Sequence, residues 1–158
     1  PRDETVRPTS DRAREAIFNM LYSLGLPRGC RVVDLYAGSG ALGIEALSRG
    51  AEEAYFVDKS AEACRTIKDN LDGLAIHGRV IQGDALQKLE SLDADLVLAD
   101  PPYGFDDWNR LLAAAGKAFV VAESESALEA LEGWEVLRSR KYGRATVTIL
   151  RPTKRDNG

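Results

Sequence analysis

Histidine is nearly missing: His77 is the only one in 158 residues. It stands beside Gly78 in a loop-like stretch, with no Ser/His/Asp constellation around it, and reads as a bystander. Cysteine is scarce too. Cys30 and Cys64 lie far apart without metal or redox spacing, which excludes a disulfide scaffold and points to a reducing cytoplasm. No run approaches the roughly 18 uninterrupted apolar residues of a membrane span. Pro1 to Ser10 are polar and carry Asp3 and Glu4, which does not fit a secretory signal. No repeat, low-complexity tract or linker interrupts the chain. What remains is ordinary for one globular domain, with 44% hydrophobic and 29% charged residues. The chain opens on Pro1 rather than Met, so a preceding N-terminal piece is expected.

The net charge of −4 argues against a uniformly basic nucleic-acid-binding domain. The average hides a gradient. Residues 51–100 hold 5 Lys/Arg against 11 Asp/Glu, whereas residues 136–155 hold seven basic residues and no acid. An acidic middle beside a basic end suits a protein that meets a polyanion on one face; the plainer alternative is a solvated hairpin and tail.

Hydrophobic spacing alternates along the chain. Residues 11–24 read as a helix, with Ile17, Met20, Leu21 and Leu24 on one stripe, and Thr9, Ser10 or Asp11 as its cap. Strands are expected at 31–35, 54–58, 80–82, 96–99 and 118–121. Helices are expected at 41–48, 60–71, 85–89, 108–115 and 126–131. Two further strands, 134–140 and 145–150, are joined by the four residues Lys141 to Arg144 as an antiparallel hairpin. Strands alternating with helices imply an α/β fold, a parallel sheet covered on both faces. Its ligands belong beyond the carboxyl ends of the strands, where strand order reverses.

The first strand runs into Asp34-Leu35-Tyr36-Ala37-Gly38-Ser39-Gly40-Ala41-Leu42-Gly43. Glycines permit a sharp turn and close approach of a ligand. Gly38-x-Gly40-x-x-Gly43, with Asp58 twenty residues after Gly38, fits the fingerprint of a nucleoside-containing cofactor whose ribose hydroxyls donate to Asp58. Asp34 adds negative charge where a pyrophosphate would lie, and suits instead a cationic ligand end such as the amino group and sulfonium of S-adenosylmethionine. Asp84 ends the third strand, placed for an adenine amino group or, equally, as a helix N-cap.

Asp100-Pro101-Pro102-Tyr103 closes the fourth strand. Two prolines fix the backbone and remove two amide donors, so the turn presents acceptors. An exocyclic NH₂ donating to the Asp100 carboxylate and the carbonyls would have its lone pair aimed at an electrophile. Tyr103 offers a flat face for a base drawn out of its helix.

Asp-Pro-Pro-Tyr resembles motif IV of amino-methyltransferases acting on nucleic acid bases. Arg7 to Asn19 and Asp34 to Ala51 resemble two signatures of one branch, the RsmD-like family of small-subunit ribosomal RNA guanine-N2 methyltransferases. The likeness runs from about Arg7 to Leu150. It implies the class I S-adenosylmethionine-dependent methyltransferase (Rossmann-like) fold, a single domain over 1–158 with a seven-stranded sheet and an inserted antiparallel hairpin. It implies that Asp34, Tyr36, Ala37, Gly38, Ser39 and Gly40 hold the methionine end of the cofactor. Asp58 with Lys59 would hold the ribose, Asp84 with Ala85 the adenine, and Asp100, Pro101, Pro102 and Tyr103 the guanine amine. The family usually has a basic, glycine-rich strand ahead of Arg-Pro-Thr-Ser, and here only six residues precede Arg7.

Arg7, Arg12 and Arg14 near the first helix, and Lys141, Tyr142 and Arg144 at the hairpin tip, are candidate RNA contacts, with solvated surface as the alternative. Phe105 and Trp108 either line the base pocket or pack the following helix. No metal is expected. The expected partner is ribosomal RNA or an assembling small subunit, met by a cytoplasmic monomer. Competing readings are an adenine-N6 or cytosine-N4 methyltransferase, an NAD-linked oxidoreductase, and a non-catalytic RNA-binding module on the same fold.

Overall fold

Short apolar strands that bury both faces need helices on both sides, and the sequence supplies them alternately. The computed structural model describes residues 10–129 and 131–153. Its elements are α1 (Asp11–Ser23), β1 (Arg31–Leu35), α2 (Ala41–Ser48), β2 (Glu53–Asp58), α3 (Ala61–Leu74), β3 (Arg79–Gln82), α4 (Ala85–Glu90), β4 (Leu96–Ala99), α5 (Trp108–Ala115), β5 (Phe119–Ser124), β6 (Trp134–Tyr142) and β7 (Ala145–Pro152). The seven strands form one sheet in the order β3-β2-β1-β4-β5-β7-β6. β7 runs antiparallel between β5 and β6. Strand order reverses between β1 and β4, which places the expected ligand crevice above their carboxyl ends.

Alternation along each strand divides the core. Val33, Leu35, Val97, Ala99, Val120 and Ala122 face α4 and α5. Val32, Leu96, Leu98, Val121, Val147 and Ile149 face α1 and α2, while Phe56 packs against Ile67 and Leu71 of α3. α1 starts where Ser10 Oγ accepts from the Ala13 amide at 3.1 Å, so serine is the cap among the three expected.

Two expectations fail. No helix forms over the described residues of 126–131. Leu128 and Leu131 rest on the core from irregular chain, and Ser124 Oγ donates to the Ser126 carbonyl at 2.7 Å instead. The hairpin turn is also shorter than four residues. β6 continues through Tyr142 and β7 begins at Ala145, leaving Gly143-Arg144 as the loop. Gly143 has φ 62°, the conformation that a two-residue hairpin turn demands of its first position. β5 is longer than its apolar run, extending to Ser124. No described helix is long and apolar enough to cross a membrane.

Candidate active site

The parallel register brings the chemistry-bearing residues to one level. Leu35 pairs with Val57 and with Ala99, and Ala99 with Ala122. One residue further along each strand stand Tyr36, Asp58, Asp100 and Glu123. Because side chains alternate, Asp34, Asp58 and Glu123 lie on the same face as Phe56, Leu98 and Val121. Acids from neighbouring strands therefore converge at the point where strand order reverses.

Asp34 is the deepest of them. It is 2% exposed, and its Oδ2 accepts from the Gly43 amide at 2.9 Å. Burial pushes its carboxyl well above the usual range. The Gly43 bond opposes that shift, and the charges of Asp100, Asp58 and Glu123 add to it. Four mutually repelling acids form a site that gains from a positive charge placed among them.

The glycine turn is tied down on three sides. The Gly38 amide donates to Asp58 Oδ2 at 2.9 Å, and Asp58 Oδ1 accepts from the Ser60 amide at 2.9 Å. Asn70, reaching from α3, donates to the Ser39 carbonyl at 2.9 Å. Tyr36 enters the turn at φ 56°, a costly conformation for a side chain of its size. Its ring packs edge-to-face on Phe105, with centroids 5.8 Å apart, and Phe105 on Trp108 at 4.9 Å. Trp108 is itself buried in the core, so Phe105 and Trp108 act as a packed support beneath Tyr36. Burial, then the Asp84 and Asp107 charges, push the Tyr36 hydroxyl up to about 12, leaving a neutral phenol at physiological pH.

Glycine is required at Gly43. A Cβ there would fall on the Phe56 ring edge and 3.1 Å from Asp34 Oδ2. Gly43→Ala is expected to destabilise the fold by about 1–3 kcal/mol, as overpacking does. A denaturant midpoint equal to that of the unaltered protein would contradict this.

Pro101 is buried, whereas Tyr103 is 67% exposed. The Phe105 amide closes the turn on the Pro102 carbonyl at 3.1 Å. Glu125 braces it from outside: its Oε2 accepts from the Gly104 amide at 2.8 Å. Glu123 and Glu125 escape sequence reasoning because the apolar pattern ends the expected strand at Val121. The available signal is an acid directly continuing the run Phe119 to Ala122. Glu125→Ala is expected to lower turnover several-fold by loosening the turn, and Glu125→Gln, which keeps an acceptor, to restore most of it. Equal rates for both variants and the unaltered protein would remove the brace from the account.

The remaining expected residues separate. Asp84 caps α4, accepting from the Gln87 amide at 2.9 Å, with Ala85 buried behind it. Lys59 is exposed, and its carbonyl accepts from Gln82 at 3.2 Å. Arg14 pairs with Asp11 at 2.7 Å and Glu45 at 3.9 Å, so its charge is spent on holding α1 to α2. Arg12 is exposed, and Arg7 lies outside the described residues. Lys141 and Arg144 are exposed, whereas Tyr142 is half-buried against the α1 side of the core. His77 is exposed and precedes β3 at its amino end, whereas the acids stand at the carboxyl ends of the strands. No group of three potential metal ligands occurs among the described residues. A groove lined by Leu112, Gly116, Phe119, Trp134 and Pro152 lies at the opposite, amino end of β5 and brings no acids together.

A family model described as Conserved hypothetical protein 95 matches residues 1–151. This chain belongs to that family. The RsmD-like likeness of the motifs is the same relationship. Ribosomal RNA small subunit methyltransferase D of Escherichia coli is 31% identical over 94% of this chain and 81% of its own length. A Bacillus subtilis relative with the provisional name rRNA methyltransferase YlbH is 36% identical over 92% of this chain and 87% of its own. A solved Escherichia coli structure, provisionally called a methyltransferase, superposes with a TM-score of 0.79 at 28% identity, covering 93% of this chain and 88% of that one. The RsmD-like family and its methyltransferase sheet thus account for the strand order and the inserted hairpin.

Proposed function

We propose that this protein is an S-adenosylmethionine-dependent methyltransferase that modifies the exocyclic N2 amine of a guanine in small-subunit ribosomal RNA, working as a cytoplasmic monomer. The observation that carries the reading is the convergence of Asp34, Asp58 and Asp100, with Glu123, above the strand-order reversal, beside a rigid Pro-Pro turn.

The donor set fits the cofactor. A carboxyl pushed toward its neutral form by burial, and further by neighbouring acids, becomes a favourable anion once a cation enters. Bound there, S-adenosylmethionine supplies an electrophilic methyl group on a sulfonium. Asp34 and the turn from Tyr36 to Gly40 would hold its amino-acid end. Asp58 orders the Gly38 and Ser60 amides, and it would also accept from the ribose hydroxyls. Asp84 and Ala85 at the start of α4 would border the adenine. A pyrophosphate cofactor would have to face the same four acids, which disfavours the NAD reading.

Asp100 and the carbonyls of the Pro101-Pro102 turn are acceptors for the two hydrogens of a nucleobase amine. Accepting both leaves the nitrogen lone pair directed away from the turn and stabilises the positive charge that grows on nitrogen during attack. Tyr103 offers a stacking face for the extruded base. N2 would displace neutral S-adenosylhomocysteine from the methyl carbon, and the proton then shed by the nitrogen would pass to the Asp100 carboxylate or to solvent; no covalent intermediate and no strong base are required, so catalysis is alignment plus electrostatics. The test is transfer of labelled methyl from S-adenosylmethionine to small ribosomal subunits from cells lacking the gene, followed by nucleoside analysis. N2-methylguanosine is expected. N6-methyladenosine or N4-methylcytidine would keep the chemistry and replace the base, and calorimetric binding of NAD in preference to S-adenosylmethionine would overturn the reading.

A further inference from the structure

A second feature of the sheet lies outside the acidic crevice. β6 is the edge strand, and Arg138, Arg140 and Lys141 on it, with Arg144 on the turn, are all exposed. Among the described residues none of these four forms an ion pair, whereas Arg31, Arg49 and Arg151 each lie within 4.0 Å of a carboxylate. Pairing across the sheet locates them. Glu123 pairs with Val147, and Val147 with Arg140; Val121 pairs with Ile149, and Ile149 with Arg138. Arg140 therefore stands level with Glu123, on the same face of the sheet as the crevice acids, and Lys141 and Arg144 lie further toward that end. Three strand spacings separate β4, which Asp100 directly follows, from β6, a lateral distance of roughly 14 Å.

We propose that β6 and its turn form a phosphate-binding ledge that carries the RNA strand flanking the target base. The proposal rests on the nucleic-acid methyltransferase reading and deepens it by assigning the backbone contacts. Phosphates need cations, and the crevice itself supplies acids, so the polyanion must be held to one side of it. These four cations lie on that side, a few nucleotides' reach from Asp100. Arginines two residues apart on a strand project from one face about 7 Å from each other, which suits successive contacts along a backbone rather than one point of attachment. The bulge between Val136 and Arg138 increases local twist and turns this stretch of the edge. Among the described residues no strand lies beyond the outer edge of β6.

The experiment compares the unaltered protein with a fourfold variant, R138Q/R140Q/K141Q/R144Q, and with the pairs R138Q/K141Q and R140Q/R144Q. Methyl transfer to small subunits from cells lacking the gene is measured across a salt series. Equilibrium binding of a short single-stranded RNA is measured in parallel, and S-adenosylhomocysteine affinity by calorimetry. For the fourfold variant, KM at low salt is expected to rise roughly tenfold or more. The slope of log affinity against log salt should fall by about 0.7 for each phosphate that the variant no longer neutralises. kcat and S-adenosylhomocysteine affinity should hold. Lys117→Gln, at the opposite end of β5, should change none of these. An unchanged KM and salt slope in variants that still bind S-adenosylhomocysteine would overturn the ledge. If the fourfold variant loses S-adenosylhomocysteine binding, the two pairs decide by the same readouts. Absence of methyl transfer by the unaltered protein would count against the functional reading, and the RNA-binding slopes would then decide the ledge separately.

Discussion

Replacing Asp100 by alanine is expected to lower kcat by about 100-fold or more, the scale on which removing one preorganised electrostatic contact acts. Asp100 follows β4 directly, and the buried Pro101 fixes its backbone, so the loss should fall on the chemical step rather than on folding. S-adenosylmethionine affinity should change little, because Asp34 and Asp58 are assigned to the cofactor. Single-turnover measurement separates the two effects. Near-normal turnover of Asp100→Ala would mean that the amine is oriented by something else.

The second large effect is expected at Asp34, where stability and function pull in opposite directions. In the unfolded chain this carboxyl titrates near the ordinary aspartate value of about 3.9. In the fold burial pushes it well above that. The folded state then holds the proton more tightly, so this group's contribution to stability is complete below about pH 3.9 and is lost as pH rises toward the raised value. The cofactor-free protein should lose stability over that window, and Asp34→Asn should remove this part of the pH dependence. Asparagine keeps an acceptor for the Gly43 amide, so melting of the variant at neutral pH should be equal to or above that of the unaltered protein. Its affinity for S-adenosylmethionine should fall by the worth of a charged hydrogen bond, about 1.5–3 kcal/mol, or roughly tenfold to 150-fold. S-adenosylmethionine affinity of the unaltered protein should rise with pH through the same window, because binding favours the ionised carboxylate. A variant less stable than the parent that keeps full affinity would invert both expectations.

Much of this is legible in the chain because local and global signals agree. The runs Arg31 to Leu35 and Leu96 to Ala99 are strands with the bounds that hydrophobicity gives them. Each ends in a turn whose residue types have few other uses, glycines after β1 and a proline pair after β4. Agreement fails where tertiary pairing overrides local preference. Ser126 to Leu131 has helical spacing, but its leucines find the core without a helix. β5 runs beyond its apolar stretch because β7 pairs with it as far as Ser124, and that extension carries Glu123 into the site. Contacts between distant segments, such as Asn70 with Ser39 and Glu125 with Gly104, leave no local signature at all. Arginines give the least information, since Arg14 and Arg144 have the same side chain and only the fold shows that one is paired and the other is exposed at a turn.

The most direct test of the central claim is mass spectrometry of small-subunit ribosomal RNA from cells with the intact gene, without it, and with the Asp100→Ala form. A single N2-methylguanosine present in the first and missing from the other two is the predicted result. Retention of every methylated guanine in cells lacking the gene, with no other modified base lost, would contradict the account.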